Sequence, residues 1–145
     1  MIQYSGYSGA RVSTLRTHLD DVKDFEPDIV ILIIGTNDLS DARKSPEAVC
    51  AEITDLIDLL LCTVGFVIIA QIFHRTLPTK PTRYPVQLDW FNNRVDEVNH
   101  RLQESCTHIY NGRARLWKCK GFWSDSAKAL SFCADGCHLS NHGKY

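Results

Sequence analysis

The chain has 145 residues, 16 Lys and Arg against 17 Asp and Glu, six His and six Cys, with 44% hydrophobic and 23% charged residues. That is the make-up of one ordinary globular domain spanning residues 1–145, and it excludes a disulfide scaffold or a low-complexity chain. The longest apolar run, Leu59 to Ala70, is broken by Thr63 and Gly65 and is shorter than the roughly 20 residues a membrane-spanning helix needs, so no span is expected.

The start, Met1-Ile2-Gln3-Tyr4-Ser5-Gly6, has no basic stretch followed by an apolar core, so no secretory signal is expected. An intracellular, cytoplasmic setting follows as the expectation, with the cysteines kept as thiols. Ile2 to Tyr4 is expected to finish a strand ahead of the glycine turn Ser5-Gly6-Tyr7-Ser8-Gly9. Val12, Leu15 and Leu19 then mark one helical face. Ile29 to Ile34 is an unbroken aliphatic run, the pattern of a strand covered by helices on both faces. It stops at Gly35-Thr36-Asn37-Asp38, which reads as a turn.

Ser45 caps the next helix, with Pro46 at its first position and Val49, Ile53, Leu56, Ile57 and Leu60 on one stripe. Phe66 to Ala70 is a second buried-strand run, and the loop after it carries Pro78, Pro81 and Pro85. Phe91, Val95, Val98 and Leu102 mark another helix, Arg115 to Trp117 a short strand, and Phe122 to Cys133 an irregular or briefly helical stretch. Strands alternating with helices imply right-handed crossovers and a parallel sheet between helical layers, the α/β class. Chemistry gathers at the carboxyl ends of such strands, where Gly35 to Asp38 falls.

Three segments together supply the parts of acyl transfer. Asp135-Gly136-Cys137-His138-Leu139 offers a base with a carboxylate three residues away, Asn37 a side-chain amide, and Ser5 to Ala10 a small-residue turn with free N–H groups. On these residues the sequence resembles the SGNH hydrolase superfamily, the GDSL-type esterases. Tyr7-Ser8-Gly9-Ala10-Arg11-Val12 is similar to the second block of that family, Ile34 to Asp38 to the third and Asp135 to Leu139 to the last. The resemblance implies Gly9 and Asn37 as oxyanion-hole donors, His138 as general base and Asp135 as its orienting partner. It implies a three-layer α/β/α sandwich with a parallel flavodoxin-like sheet, action on small acyl or acetyl esters, and no cofactor or metal.

The family's first block, Gly-Asp-Ser with the nucleophile, is absent. The one Asp-Ser, Asp125-Ser126, lies on the wrong element, which excludes Ser126, so the chain has no nucleophile of its own. The resemblance therefore implies a fragment trimmed at both ends, lacking the first strand and the final helix and inactive alone. That missing strand would leave Ile29 to Ile34 with an apolar open edge, and poor solubility is expected.

Other readings of the same residues stay open here. Gly6-Tyr7-Ser8-Gly9-Ala10 approaches a nucleophile elbow with Ser8 as nucleophile. Residues 1–70 carry 5 basic and 11 acidic side chains, net −6, and residues 71–120 carry 9 and 4, net +5. With Trp90, Trp117 and Trp123, that basic segment (Arg75, Lys80, Arg83, Arg94, Arg101, Arg113, Arg115, Lys118, Lys120) would suit a catalytically dead, RNA-binding or retroelement-derived module. Trp117 to Trp123 is itself similar to the stretch before the last block in retroelement copies of the family. Cys119, Cys133, Cys137 and His138 or His142 are a loose candidate metal set. His74, just past the second strand run, is a candidate for the substrate rim.

Overall fold

The structure, a computed structural model, describes residues 1–82, 85–119 and 130–144. Three parallel strands, β1 (Ile29–Leu32), β2 (Phe66–Ala70) and β3 (Ala114–Trp117), lie in the order β1-β2-β3, with Ile31 beside Ile68 and Ile68 beside Arg115. The helices are α1 (Val12–Arg16), α2 (Leu19–Phe25), α3 (Thr36–Leu39), α4 (Pro46–Leu61) and α5 (Leu88–His108), and a 3₁₀ turn covers His142–Lys144. The fold is α/β, as the alternation of runs predicts.

Helix α4 forms where the sequence places it. The Ser45 hydroxyl accepts from the Ala48 N–H at 3.2 Å, Pro46 fills the first position, and Val49, Ile53, Leu56, Ile57 and Leu60 are buried. Helix α5 buries Phe91, Val95, Val98, Leu102 and Cys106 against α4 and β3. Each such side chain contributes about 1.5–3 kcal/mol of transfer free energy. The core is one cluster, and the sheet reaches it with Val30, Leu32, Val67, Ile69, Ala114 and Leu116, while α1 and α2 add Val12, Leu15, Leu19 and Val22.

Four expectations are corrected. Ile2 to Tyr4 forms no strand, and both side chains are exposed. The helix expected through Leu19 breaks at Thr17-His18, where the Thr17 and His18 N–H groups turn back to Thr14 and Leu15. Gly35 to Asp38 is more than a turn, since α3 starts at Thr36. Strand β1 ends at Leu32 and is covered on one face alone: Ile29, Ile31 and Ile33 are 53%, 54% and 76% exposed. Helices α1, α2, α4 and α5 all join the core on the Val30–Leu32 face, and among the described residues no second helical layer covers the other. The free edge of β1 likewise has no strand partner among them. An unbroken aliphatic run signals apolar surroundings on both faces but does not specify what provides them.

Among the described residues no helix is long and apolar enough to cross a membrane. Ser126, Trp123, Arg83, Lys120 and most of Phe122 to Cys133 lie outside the described residues.

Candidate active site

Asn37 sits one residue into α3, directly after β1. Gly35 makes that entry possible with φ +109°, a region closed to side chains, and a Cβ there would stand 2.5 Å from Cδ1 of Ile72. The Asn37 Nδ2 donates to the Ala10 carbonyl at 3.0 Å, which ties α3 to the turn holding Gly9. Gly9 has φ +68° with open space around it, and the Ala10 N–H closes the turn on Tyr7 O at 3.2 Å. One Nδ2 hydrogen of Asn37 is spent on Ala10, and the second is left to donate elsewhere.

Asp38 locks the same junction from inside. It is fully buried, and its Oδ2 accepts from the Val12 N–H at 3.1 Å while its Oδ1 accepts from Lys44 Nζ at 3.1 Å. Lys44 also donates to Glu52 at 2.6 Å; burial works against its charge, and the two carboxylates outweigh it and raise its pKa. Hydrogen bonds from Arg43 and Arg11 hold the Asp41 carboxyl well below the usual range. Arg94 lies over the Trp90 ring and donates to the carbonyls of Leu39, Asp41 and Lys44, fixing the loop that follows α3.

His138 belongs to a separate hairpin. The Cys133 N–H donates to His138 O at 2.7 Å, the Gly136 N–H to Cys133 O at 2.9 Å, and Phe132 bridges Leu139. Asp135 Oδ1 accepts from the N–H groups of Cys137 and His138, each at 3.0 Å, and Oδ2 lies 2.6 Å from His138 Nδ1. Partial burial pushes the Asp135 carboxyl up, but the imidazole and the two N–H donors prevail and hold it at about 2. The His138 side chain is 80% exposed, and its Nε2 has no partner among the described residues.

The hairpin hangs on the loop after β2. The Thr76 N–H donates to Gly136 O at 2.9 Å and the Thr79 N–H to Ala134 O at 2.8 Å. Gly136, at φ +68°, lies so close that a Cβ would stand 2.1 Å from Thr76 O. Two asparagines of α5 grip that loop. Asn99 accepts from the Ile72 N–H at 2.9 Å and donates to Ile72 O at 2.8 Å, and Asn92 treats Arg75 likewise at 2.9 and 3.1 Å. Irregular backbone is thereby satisfied as if in a sheet.

The four expected site residues thus form two pairs: Gly9–Ala10 with Asn37, and Asp135 with His138. No hydrogen bond among the described residues joins one pair to the other directly. The link runs through Arg75, whose Nη2 donates to Ser40 Oγ at 2.7 Å, and its neighbour Thr76, which holds Gly136; Ser40 Oγ in turn donates to Thr36 O at 2.7 Å. Sequence reasoning missed Asn92 and Asn99. Asn is a weak helix former, and two of them seven residues apart beside the apolar stripe of α5 mark a polar task without naming the backbone groups they serve.

The other readings fare as follows. Ser8 lies in an exposed turn, and among the described residues no strand leads into it as a nucleophile elbow would require. His74 pairs with Asp96 of α5 at 2.7 Å. Among the described residues no three His, Cys, Asp or Glu side chains stand together as metal ligands would. Of the described part of the basic segment, Arg94 and Arg113 are spent on backbone carbonyls and Arg101 on Glu47 and Glu97.

A sequence profile described as the GDSL-like lipase/acylhydrolase family matches residues 1–144. No curated protein matches the sequence. Among solved structures, a crystal structure described as that of a GDSL-like lipase from Parabacteroides merdae superposes with a TM-score of 0.75 at 18% identity. The match covers 97% of this chain and 66% of that one, so the chain spans slightly less than two thirds of that protein's length.

Proposed function

Because the chain belongs to the GDSL-like lipase/acylhydrolase family, we propose that it supplies the base and the oxyanion donors of a hydrolase acting on small acyl or acetyl esters. His138 Nε2 takes the proton of the attacking hydroxyl, and Asp135 keeps Nδ1 protonated and balances the imidazolium that forms. As the carbonyl carbon becomes tetrahedral, its oxygen takes up negative charge between the Gly9 N–H and the second Nδ2 hydrogen of Asn37. The proton then passes from His138 to the leaving alkoxide. The observation that carries this reading is the 2.6 Å Asp135–His138 contact, which engages Nδ1 and leaves Nε2 of an exposed imidazole unbound.

The hydroxyl is the missing part. No Gly-Asp-Ser occurs in the 145 residues, so on this reading they turn over no ester by themselves.

Hydrolysis of p-nitrophenyl acetate tests the reading in two steps. The chain alone is expected to match its His138→Ala variant; faster, His138-dependent turnover would show that it holds a nucleophile. Preceded by a strand carrying Gly-Asp-Ser, it is expected to gain activity that His138→Ala abolishes and Asn37→Ala lowers about 10²–10³-fold. Activity indifferent to both substitutions would overturn the assignment.

A further inference from the structure

Arg75 stands between the two halves of the site with its charge uncompensated. Its guanidinium lies over the Phe91 ring at 4.3 Å, Nη2 donates to the neutral Ser40 hydroxyl, and Nε is buried with no hydrogen-bond partner. No carboxylate lies within ion-pair distance of it among the described residues. The other arginines described are provided for. Arg11, Arg16, Arg43 and Arg101 meet carboxylates, Arg94 and Arg113 meet backbone carbonyls, and Arg115 is exposed.

A half-buried cation held by a hydroxyl, a ring face and the Cys137 side chain, with no carboxylate, is costly unless an anion completes it. Its backbone is clamped by Asn92, so the group cannot simply swing into solvent with its loop. Its position is equally specific. Ser40 follows Asn37 by one helical turn, and Thr76, the next residue, holds the hairpin of His138. Cys137, the residue before the base, also faces this cation: burial pushes its thiol up, and the charge of Arg75 and a hydrogen bond from it act against that.

Resting on the ester-hydrolase reading above, we propose that Arg75 is a specificity-determining residue that receives a carboxylate carried by the substrate, so that the site takes anionic esters over neutral ones. The scissile carbonyl is met by Gly9 and Asn37, and the carboxylate lies one helical turn further along α3, opposite the Arg75 fork. A guanidinium suits that task because its planar N–H groups match the two oxygens of a carboxylate.

The absence of turnover in the isolated chain makes binding directly measurable. Monomethyl succinate and its neutral counterpart, dimethyl succinate, are titrated into the ¹⁵N-labelled chain while the Arg75 Nε–H, Asn37 Nδ2 and His138 ring signals are followed. The expected result is that the monoester shifts the Arg75 signal and binds at least about fivefold tighter than the diester. Arg75→Gln should bring that ratio to about one, and Arg115→Gln should leave it intact. Arg75→Lys, which keeps the charge without the fork, should retain part of the preference and serves if the Gln variant does not fold.

Equal binding of the two esters, no binding of either, or a preference that survives Arg75→Gln would overturn the proposal. The two readings also fail separately. A diester that moves the Asn37 and His138 signals with no preference for the anion leaves the ester site standing and removes Arg75 from it. An Arg75-dependent preference that leaves Asn37 and His138 unmoved keeps the anion site and removes the ester site.

Discussion

The two halves of the candidate site are built on opposite principles. Asn37 is half-buried and anchored to the interior by its neighbour: Asp38 is fully buried, meets Val12 and Lys44, and fixes both the α3 entry and the glycine turn that α3 faces. His138 is carried outside the core, on a hairpin fastened by the N–H groups of Thr76 and Thr79 and by the packing of Gly136. On the proposed reading, the donors that must not move when charge develops belong to the stiff half, and the base that has to pass a proton belongs to the lighter one. Electrostatic stabilisation gains from rigidity because fixed dipoles need no reorganisation.

The contrast can be broken most severely at Asp38. Asp38→Ala leaves Lys44 with Glu52 alone and the Val12 N–H unpaired in the core, and should cost about 2–3 kcal/mol in urea denaturation. A loss under about 1 kcal/mol would show that the inner half is not held by this carboxylate. A smaller and local effect is expected on the outer half. Gly136→Ala forces a Cβ against Thr76 O at a left-handed position and should cost about 2 kcal/mol, read as faster amide exchange of Thr76 and His138 with the amides of α4 unchanged. Loss of protection throughout α4 would mean that the hairpin is part of the core after all.

The gentlest probe is acid. The Asp135 carboxyl lies at about 2 in the folded chain against 3.8 for the free side chain. Its contribution is therefore complete above pH 3.8 and is lost as the pH falls towards 2. The Cys137 and His138 amide shifts should titrate with a midpoint near 2, and a midpoint near 4 would mean that the aspartate makes no stabilising contact.

The inner half was also the more legible one. Ser45-Pro46 and the spacing of Val49 to Leu60 announce α4, and aliphatic runs announce β1 and β2, because local caps and periodicity decide those elements. Thr36–Leu39 could not be told from a turn, since one helical turn built from Gly, Thr, Asn and Asp has the composition of a loop. The bare face of Ile29, Ile31 and Ile33 was invisible for a different reason: what covers a strand is a matter of tertiary contact. At the site, Asp135 and His138 could be paired from their spacing of three. Arg75 and its clamp could not, because Asn92 acts across 17 residues and Asn99 across 27, on backbone groups that carry no sequence signature.

The paired asparagines of α5 have a mechanical consequence. Ile72 and Arg75 are each riveted twice to a 21-residue helix, and that helix is itself wedged against α4 and β3. The floor beneath the base therefore cannot flap as a loop. To admit or release a molecule by moving that floor, the protein must shear both amide couplings together.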